Sequence, residues 1–224
     1  MSGASDQFTF FQVSSNIAAE AFAFHQSVSS TNEHIWPRTE EEIKAYSESG
    51  ELFGVRQSQT GQFVGLCYST LDEKTNEWEV GGLTVAEKFQ KFHLGSALVR
   101  FALAHTIAYY RPWKYGQRII AHVHAENQKP RRLLERIGFE FVEKVVVPGD
   151  LAPSSMKRNE EGKLCGDKFE YPQKAIPELS EWFEREPQTL ADGTSQAIFE
   201  IRPAGPNGLR ESLREAVAEL KKAI

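Results

Sequence analysis

The stretch that decides the fold is GGLTVAEKFQKFHLGSALV, residues 81–99, where a strand pattern passes through a short loop directly into a helical pattern. The strand pattern includes Leu83 and Val85, and the helical pattern begins near Leu94. The start of a helix carries unpaired backbone N–H groups and the positive end of the helix dipole, so it attracts anions. Gly95 would permit a close approach of the backbone. The stretch therefore predicts a turn that could cradle a diphosphate.

Two familiar phosphate motifs are absent from this turn. The sequence has neither the GxxxxGK[ST] pattern of a P-loop nor the GxGxxG fingerprint of a dinucleotide site. Because glycine is common in strand-to-helix turns, the turn alone does not identify a ligand.

The segments before the turn alternate between strand and helix patterns. They predict a strand over 8–13, a helix from Asn16, a short helix after Thr39, and strands over 51–56 and 62–70. The next strand pattern is NEWEVGGLTV, residues 76–85, in which Gly81 and Gly82 predict a bulge or a close backbone approach.

The segments after the turn repeat the alternation. The first helix is predicted to reach about Tyr110, a strand covers 118–124, Asn127 opens a second helix that Gly138 ends, and a strand covers 139–147. The order βααβββαβαβ predicts an α+β (mixed α/β) fold, in which helices flank a central, largely antiparallel twisted sheet.

The chain is predicted to form a single domain over residues 1–224, with a core over about 6–147 and 196–203. Residues 148–195 form a long polar insertion with one helix candidate over 176–184, and such a long loop is usually functional or disordered. An amphipathic helix over 208–224 ends the chain, and its apolar stripe must be covered by the same domain or by a second subunit. A homodimer therefore stays open.

Composition narrows the class of protein. The chain has 40% hydrophobic residues, a net charge of −5, and no apolar run near the length of a membrane helix. We therefore expect a globular protein with neither membrane nor nucleic-acid partners, and the absence of a secretory signal pattern predicts the cytoplasm. Cys67 and Cys165 make neither a disulfide framework nor a zinc site, so reduced thiols and no metal are expected.

Two motifs together resemble the GNAT superfamily of N-acetyltransferases. The family motif [QR]-x-x-G-x-[GA] is similar to Gln90-Lys91-Phe92-His93-Leu94-Gly95-Ser96, and AENQKPRRLLERIGFEFVEK, residues 125–144, is similar to its second signature. The resemblance covers about residues 6–147, with residues 196–202 as a plausible closing strand. It implies acetyl-CoA, or another acyl-CoA, as co-substrate.

The resemblance also implies the cofactor-binding residues. These are Leu83, Thr84, Val85, Gln90, Lys91, Phe92, His93, Leu94, Gly95, Ser96 and Asn127. Two positions depart from the family pattern: His93 stands where glycine is usual, and Leu134 stands where many members have a tyrosine that protonates the thiolate. Arg131 and Arg132 could reach the ribose phosphate, although exposed helix arginines are commonly just solvated.

The implied reaction moves an acyl group from acyl-CoA to the amine of a small molecule or peptide. An alkylamine with a pKa of roughly 10.4 must lose a proton before it attacks, so a base is useful. Glu79 is the first candidate, because alternation places it on the same strand face as Gly81 and Leu83, and His122 and His124 are second candidates. Each of them could equally be a solvated or packing residue, and Asn127 could be an ordinary helix cap.

The acceptor side is predicted by family analogy to lie among the N-terminal helices and the insertion. Aromatic candidates for its wall are His34, Trp36, Tyr171, Trp182 and Phe183, and acidic candidates are Asp150, Glu160, Glu161 and Asp167. A longer acyl donor or a protein acceptor is an alternative within the enzyme class. The alternative outside it is a non-catalytic acyl-CoA-binding sensor or scaffold of the same fold.

Overall fold

One mixed sheet forms the centre of the computed structural model, which describes residues 7–148, 153–185, 196–200 and 208–223. Within those residues the sheet has eight strands in the order β6-β7-β5-β4-β3-β2-β1-β8. The strands are β1 (Gln7–Gln12), β2 (Leu52–Gln57), β3 (Phe63–Asp72), β4 (Glu77–Val85), β5 (Arg118–His124), β6 (Glu140–Val147), β7 (Leu164–Glu170) and β8 (Gln196–Glu200). The β4–β5 and β1–β8 pairs are parallel and the others antiparallel, so the predicted fold class is confirmed.

Helices cover both faces of the sheet. They are α1 (Ala18–Ser29), α2 (Glu40–Glu48), α3 (Leu94–His105), α4 (Gln128–Arg136), α5 (Ile176–Glu184) and α6 (Gly208–Ala223). On β3, Cys67 faces the larger core around α3, whereas Leu66 and Tyr68 face the smaller core under α1 and α2, as alternation requires. Val64 also faces the larger core, because the β2–β3 register shifts beside it and interrupts the alternation.

The short helix α2 has a complete capping box at its start. The Thr39 hydroxyl accepts a hydrogen bond from the Glu42 N–H at 3.2 Å, and the Glu42 carboxylate accepts one from the Thr39 N–H at 2.8 Å. This cap fixes the segment between α1 and α2, which contributes to the cleft described below.

The insertion predicted over 148–195 is wrong in one important respect, because it contains the strand β7. This strand lies between β5 and β6 and pairs with both. Its sequence, LCGDKFE, lacks a clear apolar alternation, because the buried Asp167 forms an ion pair with Arg131 and the half-buried Lys168 forms one with Glu77. The strand predicted over 196–202 is present as β8, and it pairs with β1 at the opposite edge of the sheet.

The C-terminal helix is covered by its own domain. Leu209, Leu213, Ala216 and Leu220 are buried in the main core, and α6 packs against α5, α3 and residues 106–110. Its apolar stripe therefore needs no second subunit. Among the described helices, none is both long and apolar enough to cross a membrane.

Candidate active site

A cleft opens where β4 and β5 separate. The two strands pair only from Glu77–Arg118 to Glu79–Ile120, after which β5 continues along β7 and β4 continues along β3. The space between them is a cavity of about 610 Å³. Its walls come from β4, β5, the first turn of α4, the segment before α2, and the ends of β6 and β7.

The bulge predicted at Gly81 and Gly82 lies on this wall. The β3–β4 register shifts between Leu66 and Tyr68, and Gly82 has a φ of 62°. A Cβ added to Gly81 would stand 2.5 Å from the Tyr68 hydroxyl oxygen, so the Tyr68 ring packs directly on this backbone. Glycine is required here both by the conformation and by the close approach.

The turn from Gln90 to Ser96 joins a 3₁₀ segment, Glu87–Phe92, to helix α3. His93 lies at the junction with a φ of 58°, in the left-handed region that favours glycine. Its side chain is exposed, while Phe92 packs on Phe8 and Leu94 is fully buried. An anion at this turn would therefore meet mainly backbone N–H groups of the helix start.

Gln90 and Gly95 stabilise the turn through contacts with neighbouring parts of the protein. The Gln90 side-chain amide donates a hydrogen bond to the Val85 carbonyl at 3.3 Å and accepts one from the Lys129 ammonium at 3.5 Å. A Cβ added to Gly95 would stand 3.2 Å from the Leu133 side chain and 3.5 Å from that of Leu83. Gly95 thus permits close packing of α3 against α4 and β4.

Asn127 occupies the N-cap position of α4 but does not act as a side-chain cap. Its amide makes no capping hydrogen bond within the described residues, and the residue lines the cleft. Because an ordinary cap would bond the helix backbone, the free amide remains available to a ligand in the cleft.

Two of the basic and acidic candidates pair with each other. The Arg131 guanidinium donates to the buried Asp167 carboxylate at 2.8 Å. The hypothesis that Asp167 is a loop residue facing the acceptor is wrong, because it lies on β7 and outside the cleft lining. Arg132 is exposed on α4.

Glu79 and His122 meet at the point where the strands separate. The His122 Nδ1 lies 3.2 Å from the Glu79 Oε1, and the two side chains are 39% and 29% exposed. Both residues line the cleft. The neighbouring carboxylate on β4, Glu77, is buried and bound by Lys168 and Arg118, so it is neutralised by two cations.

His124 lies two residues further along the same face of β5, yet both of its ring nitrogens have partners. Nε2 lies 2.8 Å from the Lys157 carbonyl oxygen, and Nδ1 lies 3.2 Å from the Glu126 backbone nitrogen. A carbonyl can only accept and an N–H can only donate, so Nε2 carries the proton and the Nδ1 lone pair is occupied. The His124 ring centre also lies 4.7 Å from that of His34, with the rings tilted by 49°, and the pKa of His34 is lowered by burial and by His124.

The acceptor wall contains only part of the predicted aromatic set. His34 and Trp36 line the cleft. Tyr171, Trp182 and Phe183 instead belong to the core, where Tyr171 packs on Phe139 and the other two pack on Phe199, so their predicted position is wrong. Glu160 and Glu161 are exposed in the turn before β7, and Asp150 lies outside the described residues.

Arg38 and Tyr68 are cleft residues that the sequence patterns do not reveal. The Arg38 guanidinium donates to the Glu42 carboxylate at 2.9 Å and to the Tyr68 hydroxyl, and it lies 4.9 Å from the Tyr68 ring centre. Burial raises the pKa of Tyr68, with the Glu79 charge adding to the effect, so the phenol stays protonated. In the sequence, the one feature that could have pointed to this pair is the position of Arg38 directly before the helix cap Thr39.

Metal chemistry has no evident ligand set here. In the part of the chain that the structure describes, no group of three or more histidine, cysteine, aspartate or glutamate side chains could hold a metal ion. Burial raises the pKa of the Cys67 thiol, and Cys67 and Cys165 are both free thiols.

Comparison with known proteins identifies the family. The model of the acetyltransferase (GNAT) family matches residues 21–139, which is more than half of the chain. The chain belongs to the GNAT acetyltransferase family. No protein of curated function matches the sequence.

Solved structures of GNAT acetyltransferases share the fold at low identity. A GNAT-family acetyltransferase from Streptococcus pneumoniae has a TM-score of 0.55 at 16% identity, covering 73% of this chain and 98% of that one. The ribosomal-protein-S18-alanine N-acetyltransferase from Escherichia coli has a TM-score of 0.51 at 18% identity, covering 74% and 93%. The diaminobutyrate acetyltransferase from Paenibacillus lautus, in complex with L-2,4-diaminobutyric acid and coenzyme A, has a TM-score of 0.54 at 10% identity, covering 75% and 96%.

Proposed function

We propose that this GNAT protein transfers an acetyl group from acetyl-CoA to an amine of a small molecule or peptide. The observation that carries the proposal is the position of the Glu79–His122 pair, inside the cleft where β4 leaves β5. Leu83 connects that cleft to the turn, since it lines the cleft and lies beside Gly95. The cleft that holds the proton acceptor and the helix start that could bind an anion are therefore adjacent, with Leu83 between them.

The residues present are suited to the co-substrate. The turn Gln90–Ser96 offers a helix N-terminus to a diphosphate, and Lys91 and His93 are exposed beside it. The uncapped amide of Asn127 would bind an amide of the pantetheine arm. Of the three predicted backbone residues, Leu83 lines the cleft and has no β5 partner among the described residues, whereas Thr84 and Val85 pair with β3, so an oxyanion would bind N–H groups on the side of β4 that faces away from β3.

The reaction needs one proton acceptor and one leaving group. The amine nitrogen attacks the thioester carbonyl carbon, so a C–N bond forms, the C–S bond breaks and the sulfur leaves with the bonding electrons. The amine proton passes to the Glu79–His122 pair. A thiol with a pKa of about 8.5 leaves readily as the thiolate, so Leu134 in place of a tyrosine is tolerated.

Among the three candidates for the base, Glu79 has better geometry than His124. Its carboxylate contacts only the cleft residue His122 among the described side chains. His124 has both ring nitrogens occupied, so it has no lone pair to receive a proton. We therefore assign His124 to holding residue 157 at the end of the cleft.

The comparisons leave the acceptor open. By their names, the Escherichia coli enzyme acts on an alanine of a ribosomal protein and the Paenibacillus lautus enzyme acts on a small diamino acid. Both acceptors present an amine, which supports the reaction class without choosing a substrate.

Calorimetric titration with acetyl-CoA and an assay for thiol release across amines and peptides test the proposal. We expect saturable binding, and thiol release that depends on an added amine. Binding without release across small amines, peptides and lysate fractions would support an acyl-CoA sensor instead. The absence of binding would overturn both functions.

A further inference from the structure

The Glu79–His122 pair contains a division of roles that the family assignment does not supply. An ionised carboxylate only accepts hydrogen bonds, so the 3.2 Å contact with Glu79 requires the proton of neutral His122 to lie on Nδ1. Nε2 then carries the lone pair. It makes no hydrogen bond within the described part of the chain, and the ring lines the cleft.

We propose that His122 Nε2 is the atom that takes the proton from the acceptor amine, and that Glu79 is a positioning residue that fixes the ring and its tautomer. This inference rests on the proposed function. When the new C–N bond forms, the amine N–H bond breaks, its electrons stay on nitrogen and the proton moves to Nε2. The resulting imidazolium is stabilised by the Glu79 carboxylate through the Nδ1–H bond.

The charged groups around His122 support this arrangement. Lys168 lies opposite His122 on β7, but both oxygens of Glu77 bind its ammonium at 2.9 Å, so its charge is compensated. The other titratable or charged groups that line the cleft are Tyr68 on β3, His124 on β5, Cys165 on β7, and His34 and Arg38 before α2. Arg38 is paired with Glu42, which leaves Glu79 as the carboxylate that acts on the His122 ring.

Nitrogen-15 NMR of the histidine rings tests the tautomer without any substrate. At a pH where the rings are neutral, we expect His122 to carry its proton on Nδ1 and His124 to carry it on Nε2. In Glu79→Gln we expect His122 to show a mixture of tautomers, while Glu79→Asp keeps the Nδ1–H form. A neutral His122 with its proton on Nε2 would overturn the proposal, whatever the activity of the protein.

Kinetics then separates the base from the positioning residue. His122→Gln should lower kcat/KM by about 100-fold or more while the Kd for acetyl-CoA stays within about three-fold, and imidazole in the medium should partly restore His122→Ala. An imidazole base loses activity as the pH falls through about 6 to 7, whereas a carboxylate base does so near 4. The loss of activity that an imidazole base shows on the acidic side of the pH profile should therefore be present in the wild type and absent in His122→Gln.

A failure of the inference about His122 can be distinguished from a failure of the proposed function. If acetyl-CoA binds and the wild type turns over, but His122→Gln keeps its rate while Glu79→Gln loses it, the carboxylate is the base and only this inference falls. If acetyl-CoA does not bind, the proposed function falls first. The exposed Glu48→Gln on α2 serves as the matched carboxylate control and should match the wild type.

Discussion

His122 and His124 lie two residues apart on one face of β5, and their surroundings give them opposite properties. His122 faces a carboxylate across the gap between two strands and keeps one nitrogen open to the cleft. His124 is held between a carbonyl on one side and a backbone N–H on the other. In the proposed mechanism, the same type of side chain thus serves proton transfer at His122 and attachment of the segment around Lys157 at His124.

The difference comes from what the neighbouring backbone offers. At His122 the adjacent strand β4 has already separated from β5, so the β4 backbone cannot form hydrogen bonds with the ring nitrogens. At His124 the segment leading into β7 approaches closely, and its Lys157 also donates a hydrogen bond to the Glu33 carbonyl at 3.0 Å. Residue type and strand position predict neither outcome, because the partners come from distant parts of the chain.

A double-mutant cycle should give the largest effect. If Glu79 acts through His122, the double variant Glu79→Gln/His122→Gln should lose no more kcat/KM than His122→Gln alone, which we expect to lose about 100-fold or more. In the corresponding cycle for His34→Phe and His124→Gln, kcat/KM should fall by less than about ten-fold, mainly because the KM for the acceptor rises. Additive losses for Glu79 and His122 would mean that the two residues act independently.

A third histidine extends the comparison to stability. His105 is 6% exposed on α3, its Nδ1 has no partner among the described residues, and burial lowers its pKa from 6.5 to about 4. A lowered pKa favours the neutral ring in the folded state. Its stabilising contribution is therefore fully present above pH 6.5 and is lost as the pH falls through about 4.

The expected loss from His105 is about 3 kcal/mol between pH 7.5 and 4. Urea unfolding of the wild type and His105→Leu across this range measures it, because the variant lacks this contribution while the other groups still titrate. Equal pH dependence in the two proteins would show that His105 does not couple protonation to folding.

Much of the fold could be predicted because its elements have clear local patterns. The bounds of β5 and α5 agree with the predicted ranges, and α2 begins directly after Thr39 as predicted. The strand β7 could not be predicted, since the buried Asp167 and the half-buried Lys168 conceal its alternation. Their partners, Arg131 and Glu77, come from 36 and 91 residues away.

The site was predictable where it depends on backbone conformation and less so where it depends on long-range contacts. The Gly81–Gly82 bulge and the helix start after His93 follow from local sequence. The role of Gly95 does not, because its contact is with Leu133 on another helix. Arg38 and Tyr68 could not be predicted as cleft residues either, since neither belongs to a motif and only the fold brings them together.

Asn127 provides the next test, because it contrasts a cap position without a capping bond with a true cap at Thr39. Asn127→Ala should weaken acetyl-CoA binding by about ten-fold and change the free energy of unfolding little, since it breaks no capping hydrogen bond. Thr39→Ala should do the reverse and cost about 1 kcal/mol of stability. Calorimetry and urea unfolding measure both quantities. A loss of stability in Asn127→Ala with unchanged binding would make Asn127 a structural residue.

His93 gives the smallest expected effect and decides how the turn binds an anion. A non-glycine residue in the left-handed region is disfavoured, so His93→Gly should stabilise the protein by about 0.5 kcal/mol, because relief of strain exceeds the entropy that glycine loses. If backbone N–H groups form the cradle, the Kd for acetyl-CoA should change by less than about three-fold. His93→Val, a β-branched residue in the same conformation, should destabilise the protein by about 1 to 2 kcal/mol. A marked loss of affinity in a stable His93→Gly would instead show that the imidazole contacts the phosphates, because the glycine variant keeps the helix start and removes only the ring.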